Sequence, residues 1–475
     1  MRRDYNELMP GKHTEHPQRR AEDREDDRGA HVAGYRGMAS DASVTWECRS
    51  ALPGVLWPAV PSAPASTLLA QLFQLSRSQW LEPTRLRELQ LRQLDALVRH
   101  AYNTVPFYRD RWRGIYEPGV QLASEQFAQL PILARADLQA NFETLRSVAV
   151  PPGHGHIVEG RTSGSTGTPV VTLKTDLTEF WWRVFTLRDH EWHQRDTSAK
   201  LAAVRMKVES GEAVGWGPST DTVMVTGPAA ALPIRLPVEE QLEWLMRQQP
   251  DYLLTYPSNL LELIRLSVQR GDRLARLREV RTMGEALSAE TREFCRQAWG
   301  VNITDAYSSD EVGYIALQCP QNEHYHVQAE SVLVEVVDAE GKPCRAGETG
   351  RVLVTSLHNF ALPLIRYELG DYAEVGGSCG CGRGLPVLSR VFGRVRNTLV
   401  LADGTRYWPS FGNRKFREIA PVLQHQFVQT DFARIEARLV TTRPLTLQEE
   451  ATLRQFLQSK LPTQFEIAFL YCERI

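Results

Sequence analysis

Short β-branched and aliphatic runs alternate with amphipathic segments in the middle of this chain. Strands that alternate with helices form largely parallel sheets covered by helices, so the pattern predicts an α/β domain of layered sheets and helices. The predicted strands are Leu201–Val204, Thr222–Thr226, Tyr252–Thr255, Val280–Met283 and Ile303–Tyr307. The predicted helices are Val238–Arg247, Asn259–Arg270 and Ala289–Trp299.

The segments before and after this region predict the domain limits. Residues 1–65 are polar and then proline-rich, which is typical of a disordered tail followed by a linker. The large N-terminal domain is predicted over residues 66–392, and it includes a helix that runs from Pro83 to about Asn103. Two later strands predict an antiparallel, hairpin-like appendage: Val332–Val337 and Arg351–Ser356.

Residues 393–475 predict a small C-terminal α+β domain. Its strands are expected near Thr398–Leu401 and at Arg434–Val440. A helix over Leu447–Leu461 is expected to begin with a capping box at Thr446.

Bulk composition excludes several classes of protein. A chain of 475 residues with 42% apolar residues is long enough for two or more globular domains. Its net charge of −2 argues against a nucleic-acid-binding surface. No run approaches the roughly 18 apolar residues of a membrane helix, and no signal peptide begins the chain. Seven cysteines, an odd number, favour reduced thiols or metal ligands, so we expect a cytoplasmic protein.

A run rich in glycine and hydroxyl groups, Arg161–Pro169, predicts a phosphate-binding loop. Glycines adopt backbone angles that are closed to other residues, so the loop's N–H groups can surround an anion. It is not a Walker A loop, because neither Lys-Ser nor Lys-Thr follows the last glycine. A polar surface linker is the alternative interpretation. The candidate phosphate-binding residues are Thr162, Ser163, Gly164, Ser165, Thr166 and Gly167.

This loop resembles the phosphate loop of the adenylate-forming (acyl-CoA synthetase) superfamily. Three further segments resemble that superfamily's motifs and follow in the family's order: Tyr307–Glu311, Arg366–Asp371 and Gly393–Asn397. Val105–Arg109 and Cys379–Arg383 resemble the phenylacetate–CoA ligase branch. The resemblance covers about residues 83 to 475, and it implies a large adenylate-forming domain followed by a small C-terminal domain.

The resemblance implies an AMP-forming acid–thiol ligase. ATP and Mg²⁺ would activate a carboxylic acid, of aryl or arylacetic type, as its acyl-AMP, and CoA would then accept the acyl group. A carrier protein or an amine stays open as the acceptor. A catalytically impaired protein that binds nucleotide or acyl-AMP, and a zinc-dependent interaction module, are the alternative classes. The expected partners are the acid and the nucleotide. A homodimer stays open.

The resemblance also implies roles for individual residues. Glu311 is the expected Mg²⁺ ligand, because magnesium prefers carboxylates together with phosphate oxygens. Asp371 is expected to accept hydrogen bonds from both ribose hydroxyls. Tyr307 would stack on adenine or close the core at a strand end, and Arg394 would reach the ribose or a phosphate. Thr166, Glu311 and Arg394 are the expected catalytic residues.

Other positions match the superfamily less closely. Gly284 and Glu285 resemble the segment that lines adenine. Asp310 replaces the usual serine or threonine, and an ionised carboxylate cannot donate a hydrogen bond. Arg396 stands where the hinge usually has aspartate or lysine, and a hinge need only absorb a change of dihedral angles.

The superfamily's catalytic lysine, in a segment near the C-terminus, has no match before Ile475. Either the chain continues in the native protein or the lysine is absent. In the second case we expect slow adenylation, because removing one charged group from such a site costs several kcal/mol of barrier.

Cysteine and histidine residues predict a structural zinc site. Three cysteines and one histidine are a common zinc ligand set, and relatives of this branch resemble the chain in carrying one. The expected ligands are Cys319, His326, Cys379 and Cys381, with His324 as the alternate ligand. Free buried thiols are the other interpretation.

Overall fold

The computed structural model describes residues 47–161, 170–394, 399–403, 406–407, 416 and 418–473. Three predictions lie outside this range: the tail up to residue 46, the loop residues Thr162–Gly167 and the hinge position Arg396.

Within residues 47–156, six α-helices precede the first strand. They are α1 (Ala65–Ser78), α2 (Pro83–Thr104), α3 (Pro106–Arg111), α4 (Ser124–Gln129), α5 (Arg135–Ala140) and α6 (Phe142–Leu145). Helix α2 begins at Pro83 and ends before Pro106, as predicted, because proline fits the first turn of a helix but not its interior. Helix α1 was not predicted, although Leu68, Leu72 and Leu75 lie buried on one of its faces.

Strands β1 (Ile157–Arg161) and β2 (Val171–Thr175) form an antiparallel pair in which Arg161 lies opposite Val171. The predicted phosphate loop therefore connects two strand ends that are neighbours in space.

A mixed sheet of 12 strands forms the centre of the protein. Its strands are β3 (Leu201–Arg205), β4 (Gly211–Ala213), β5 (Ala229–Pro233), β6 (Tyr252–Thr255), β7 (Glu279–Met283), β8 (Asn302–Ser309), β9 (Gly313–Gln318), β10 (Tyr325–Val327), β11 (Val332–Val337), β12 (Thr349–Ser356), β13 (Tyr367–Val375) and β14 (Val387–Arg394). The strand order is β11-β12-β13-β14-β10-β9-β8-β7-β6-β3-β5-β4. Strands β5, β3, β6, β7 and β8 are parallel to one another. From β8 to β11 in this order, every neighbouring pair is antiparallel, and β4 pairs in antiparallel fashion with β5.

Helices cover both faces of the parallel half. They are α7 (Asp176–Trp192), α8 (Pro218–Asp221), α9 (Val238–Gln248), α10 (Pro257–Arg270) and α11 (Ala289–Trp299). Leu242 of α9 and Leu263 of α10 share one buried apolar cluster with Val280 of β7. Val184 of α7 belongs to another cluster, together with Ile315 of β9. The predicted α/β class is confirmed.

Two local predictions were wrong. Thr222–Thr226 is not a strand; the strand in this region is β5. The carboxylate of Asp221 accepts hydrogen bonds from the N–H groups of Trp216 and Gly217, at 3.1 and 2.8 Å, and from the hydroxyl of Thr226, so these contacts close a turn from Trp216 to Thr226. Strands β11 and β12 do pair in antiparallel fashion, but they are no appendage, because β12 pairs with β13 and so extends the main sheet.

The last part of the chain has a sheet of its own. Strands β15 (Leu399–Val400) and β16 (Arg406–Tyr407) pair first, and then β17 (Val422–Asp431), β18 (Arg434–Thr441) and β19 (Glu466–Tyr471) form a three-stranded sheet. Helix α12 (Leu447–Gln458) crosses between β18 and β19, which are parallel. It begins at the predicted capping box, in which Oγ1 of Thr446 accepts a hydrogen bond of 3.2 Å from the N–H of Glu449. Among the described helices, none is both long and apolar enough to cross a bilayer.

Candidate active site

Three predicted nucleotide-binding residues meet in one buried contact. The hydroxyl of Tyr307 donates a hydrogen bond of 2.8 Å to Oδ2 of Asp371. Nε of Arg394 lies 3.3 Å from Oδ1 of the same carboxylate. Asp371 and Arg394 are directly opposite one another on β13 and β14, so the sheet register sets their contact. The structure therefore brings together residues from three separate motifs.

Burial dominates the electrostatics of this contact. It raises the pKa of the Asp371 carboxyl, and the neighbouring Glu311 raises it further, while Arg394 and the hydrogen bond from Tyr307 lower it. Burial and the adjacent Asp371 carboxylate also raise the pKa of Tyr307 well above its ordinary value. Tyr307 therefore stays protonated and remains a hydrogen-bond donor.

The backbone at Gly370 makes room for Arg394. Gly370 has φ +82°, and a Cβ at this position would lie 3.3 Å from Nη1 of Arg394. Nη1 donates a hydrogen bond of 2.5 Å to the carbonyl oxygen of Leu369. The glycine of the motif thus allows the guanidinium to pass close to the chain beside Asp371.

Glu311 lies at the turn between β8 and β9, and its side chain is 3% exposed. Its Oε1 lies 3.1 Å from Nη1 of Arg135, at the start of α5. The neighbouring Asp310 is exposed. Sequence reasoning missed Arg135, because its partner is 176 positions away and no local pattern marks it.

Gly284 and Glu285 follow β7. Gly284 has φ +80°, and a Cβ there would lie 3.3 Å from the ring of Tyr256. The carboxylate of the exposed Glu285 accepts hydrogen bonds from the backbone N–H and the hydroxyl of Ser258, at 2.9 and 3.0 Å. Ser258 is in the first turn of α10, so Glu285 stabilises the start of that helix.

Sequence reasoning also missed a buried ionic network between α7 and β7. Asp189 of α7 pairs with Arg195 at 2.7 Å and with Arg281 of β7 at 2.6 Å. Arg195 also pairs with Glu279 at 2.7 Å. Two charged residues in the same short strand, Glu279 and Arg281 in β7, were the available signal. The network borders a small interior cavity with Met283 and other residues of the sheet.

The four predicted zinc ligands form a compact cluster. The donor atoms of Cys319, His326, Cys379 and Cys381 all lie within 4.8 Å of one another. The Sγ atoms of Cys319 and Cys379 are 3.8 Å apart, and Sγ of Cys381 is 3.3 Å from Nε2 of His326. The alternate ligand His324 borders the cluster, with Nε2 3.0 Å from Sγ of Cys379. None of the seven cysteines forms a disulfide.

The segment after Cys381 contacts the turn between α1 and α2 and the end of α7. The Arg383 guanidinium lies over the rings of Trp80 and Trp192, 4.8 and 4.4 Å from their centroids. Its Nε donates a hydrogen bond of 3.1 Å to Oε1 of Gln79. A Cβ at Gly384 would collide with the carbonyl oxygen of Leu81, so only glycine fits there. The cluster is therefore fixed to the turn between α1 and α2.

Comparison with curated proteins finds sequence relatives. The chain is 28% identical over 360 residues to the phenylacetate-coenzyme A ligase of Thermus thermophilus, a match that covers 72% of this chain and 77% of the relative. It is 26% identical over 357 residues to the Escherichia coli K12 protein of the same name, covering 71% and 78%. No protein-family model matches the chain.

Comparison with solved structures finds the same fold. The structure of 2-hydroxyisobutyryl-CoA ligase in the postadenylation state superimposes with a TM-score of 0.66 at 17% identity, covering 83% of this chain and 88% of that one. An anthranilate CoA ligase in complex with anthranoyl-AMP gives a TM-score of 0.52 at 17% identity, covering 67% and 63%. The resemblance predicted from the motifs is thus confirmed.

Proposed function

We propose that this chain, a homologue of phenylacetate–CoA ligases with the fold of adenylate-forming CoA ligases, activates a carboxylic acid as its acyl-AMP and transfers the acyl group to CoA. The observation that carries the proposal is the buried contact of Tyr307, Asp371 and Arg394, because it joins motifs that are far apart in sequence. The names of the relatives make an arylacetic acid the first substrate to test.

In the proposed first step, the carboxylate of the acid attacks the α-phosphate of ATP and displaces pyrophosphate. Asp371 would accept hydrogen bonds from the ribose hydroxyls, while Tyr307 holds its Oδ2. Arg394, beside Asp371, would offer positive charge to the ribose or the phosphates. Glu311 would hold Mg²⁺, which supplies charge neutralisation on the phosphate oxygens.

In the proposed second step, the thiol of CoA attacks the acyl-AMP carbonyl and AMP leaves. The predicted phosphate loop, Thr162–Gly167, belongs to the first step, in which it would bind the β- and γ-phosphates of ATP. Positioning of two reactants in this way contributes roughly 7–11 kcal/mol to such reactions. A carrier protein or an amine remains the alternative acceptor.

The test is acid-dependent pyrophosphate release by the purified protein over a panel of aryl, arylacetic and aliphatic acids, followed by thioester detection after CoA is added. We expect release with at least one acid and thioester formation only with CoA. Asp371→Asn should reduce release, whereas Asp110→Asn, at an exposed ion pair, should not. No release with any acid, together with tight binding of a stable acyl-AMP analogue, would instead support the impaired-binding alternative.

We also propose that Cys319, His326, Cys379 and Cys381 hold a structural Zn²⁺. Tetrahedral coordination with Zn–S bonds of about 2.3 Å requires sulphur atoms about 3.8 Å apart. The Sγ atoms of Cys319 and Cys379 have this separation. Four protein ligands leave no open position, so the ion would stabilise the fold rather than act in catalysis. The absence of a disulfide among the seven cysteines supports a proposed reducing, cytoplasmic location.

A further inference from the structure

The expected Mg²⁺ ligand has a partner that the motif does not contain. Glu311 is 4% exposed, and its Oε1 lies 3.1 Å from Nη1 of Arg135. An ionised carboxylate only accepts hydrogen bonds, and a buried one is costly unless it is paired. The guanidinium of Arg135 therefore compensates the charge of Glu311 and also restricts its orientation.

The segment that carries Arg135 is fixed to the strand that carries Asp371. The N–H of Leu133 donates a hydrogen bond of 3.1 Å to the carbonyl oxygen of Arg366, and the N–H of Glu368 donates one of 3.0 Å to the carbonyl oxygen of Leu133. Leu133 also pairs in parallel with Tyr367, the first residue of β13. The position of Arg135 is thus set relative to the proposed nucleotide site.

The start of α5 has a second set of contacts. Oδ2 of Asp137 accepts a hydrogen bond of 3.1 Å from the N–H of Ala134, and it also accepts one of 3.0 Å from Nη1 of Arg111. Arg135 therefore lies in the first turn of α5, and these two hydrogen bonds anchor that turn.

Two buried carboxylates and two arginines make the site charge-balanced. Asp371 pairs with Arg394, and Glu311 pairs with Arg135. The two carboxylates are close enough for Glu311 to raise the pKa of Asp371. Each carboxylate therefore has its own paired arginine, and these two ion pairs hold both carboxylates in place.

We propose that Arg135 is a positioning residue for Glu311, and this inference rests on the proposed function. Arg135 holds Oε1, which would leave the other carboxylate oxygen to bind the Mg²⁺ of a metal–nucleotide complex. Ligating carboxylates in metal sites are commonly oriented by such partners, and removing the partner typically weakens metal affinity about 10- to 100-fold.

The test compares Arg135→Gln, Arg135→Lys and the control Arg113→Gln, which removes an exposed arginine that pairs with Asp110. Isothermal calorimetry measures ATP affinity with and without Mg²⁺, and pyrophosphate release measures the Mg²⁺ concentration for half-maximal rate. We expect Arg135→Gln to raise that concentration about 10- to 100-fold. Arg135→Lys keeps the positive charge but lacks the planar guanidinium group. It should therefore raise the Mg²⁺ concentration for half-maximal rate less than Arg135→Gln does.

Binding of a stable acyl-AMP analogue without Mg²⁺ is the internal control, and it should be unchanged in Arg135→Gln. An unchanged Mg²⁺ dependence in that variant would overturn the inference. Loss of analogue binding with an unchanged melting temperature would also overturn it, because Arg135 would then act on the nucleotide itself. Wild-type protein that binds Mg²⁺–ATP but releases no pyrophosphate would refute the proposed function alone, since calorimetry would still test Arg135.

Discussion

The hydroxyl of Tyr307 and the carboxylate of Asp371 share a hydrogen bond of 2.8 Å, although 64 positions separate the two residues in the chain. Strands β8 and β13, which carry them, are not neighbours either, because β14, β10 and β9 lie between them in the sheet. The contact therefore joins the two halves of the main sheet at the proposed active site.

We predict that Tyr307→Phe weakens ATP binding without unfolding the protein. The change removes one donor from a buried carboxylate, and such a hydrogen bond contributes about 1.5–3 kcal/mol. The KM for ATP should rise roughly tenfold or more. Tyr471→Phe is the matched control, because the Tyr471 hydroxyl donates to Glu450 at an exposed site. Equal KM values for ATP in the two variants would show that the Tyr307 hydroxyl does not contribute to ATP binding.

We predict that the proposed zinc site of Cys319, His326, Cys379 and Cys381 stabilises the fold. Cys319→Ser should lower the zinc content below one ion per chain and lower the melting temperature by several degrees, because structural metal binding contributes directly to folding. Cys472→Ser, outside the cluster, should change neither quantity. Metal analysis together with thermal unfolding checks both. A wild-type protein that contains no zinc after purification in zinc-supplemented medium would favour the free-thiol interpretation.

We predict that the buried network of Asp189 and Arg195 contributes strongly to stability. Burial raises the pKa of the Asp189 carboxyl, but the neighbouring Arg195 and Arg281 outweigh burial and hold it below its ordinary value. Arg195→Met leaves Glu279 without its paired arginine and Asp189 with Arg281 alone, which should cost about 3–5 kcal/mol of unfolding free energy. Arg85→Met, at an exposed pair, should cost less than about 1 kcal/mol. Urea denaturation of the two variants measures this difference.

We predict a pH dependence of stability from His358. Burial lowers the pKa of this histidine to about 4, below the value of about 6.5 in an unfolded chain. The unfolded state therefore binds the proton more readily, so this contribution to stability is present above pH 6.5 and is lost as the pH falls toward 4. Between pH 7 and pH 5 the loss is about 2 kcal/mol.

His358→Gln should lose correspondingly less stability over this interval than wild type, as judged by urea unfolding at both pH values. The Nε2 of His358 lies 3.0 Å from the carbonyl oxygen of Glu330, and a glutamine amide can donate to the same oxygen. His156→Gln, at an exposed side chain, is the control. Identical slopes in wild type and His358→Gln would show that other groups carry the acid sensitivity.

Periodicity predicted most of the parallel half of the fold, because α9, α10 and α11 each bury one apolar face against the sheet. It failed at Thr222–Thr226, where apolar and β-branched residues lie in a turn that the Asp221 carboxylate closes by accepting hydrogen bonds from the N–H groups of Trp216 and Gly217 and from the hydroxyl of Thr226. A hydrogen bond from a side chain to the backbone leaves no periodic signal, so residue pattern alone could not reveal this turn.

The sequence likewise predicted only part of the candidate site. The cysteine and histidine cluster could be predicted because few other roles use those residue types together. The pairing of Tyr307 with Asp371 and of Arg135 with Glu311 could not, because both pairs depend on how distant segments pack. The motifs indicated which residues to expect, and the sheet order determined which of them touch.

The β8–β9 turn has a mechanical consequence. It connects the parallel half of the sheet to the antiparallel half, and it carries Glu311, whereas Asp371 lies deep in the antiparallel half. Any change in the twist between the halves must alter the spacing of these two carboxylates. The spacing of the two carboxylates therefore depends on strands far from the proposed site as well as on the residues that would touch a ligand.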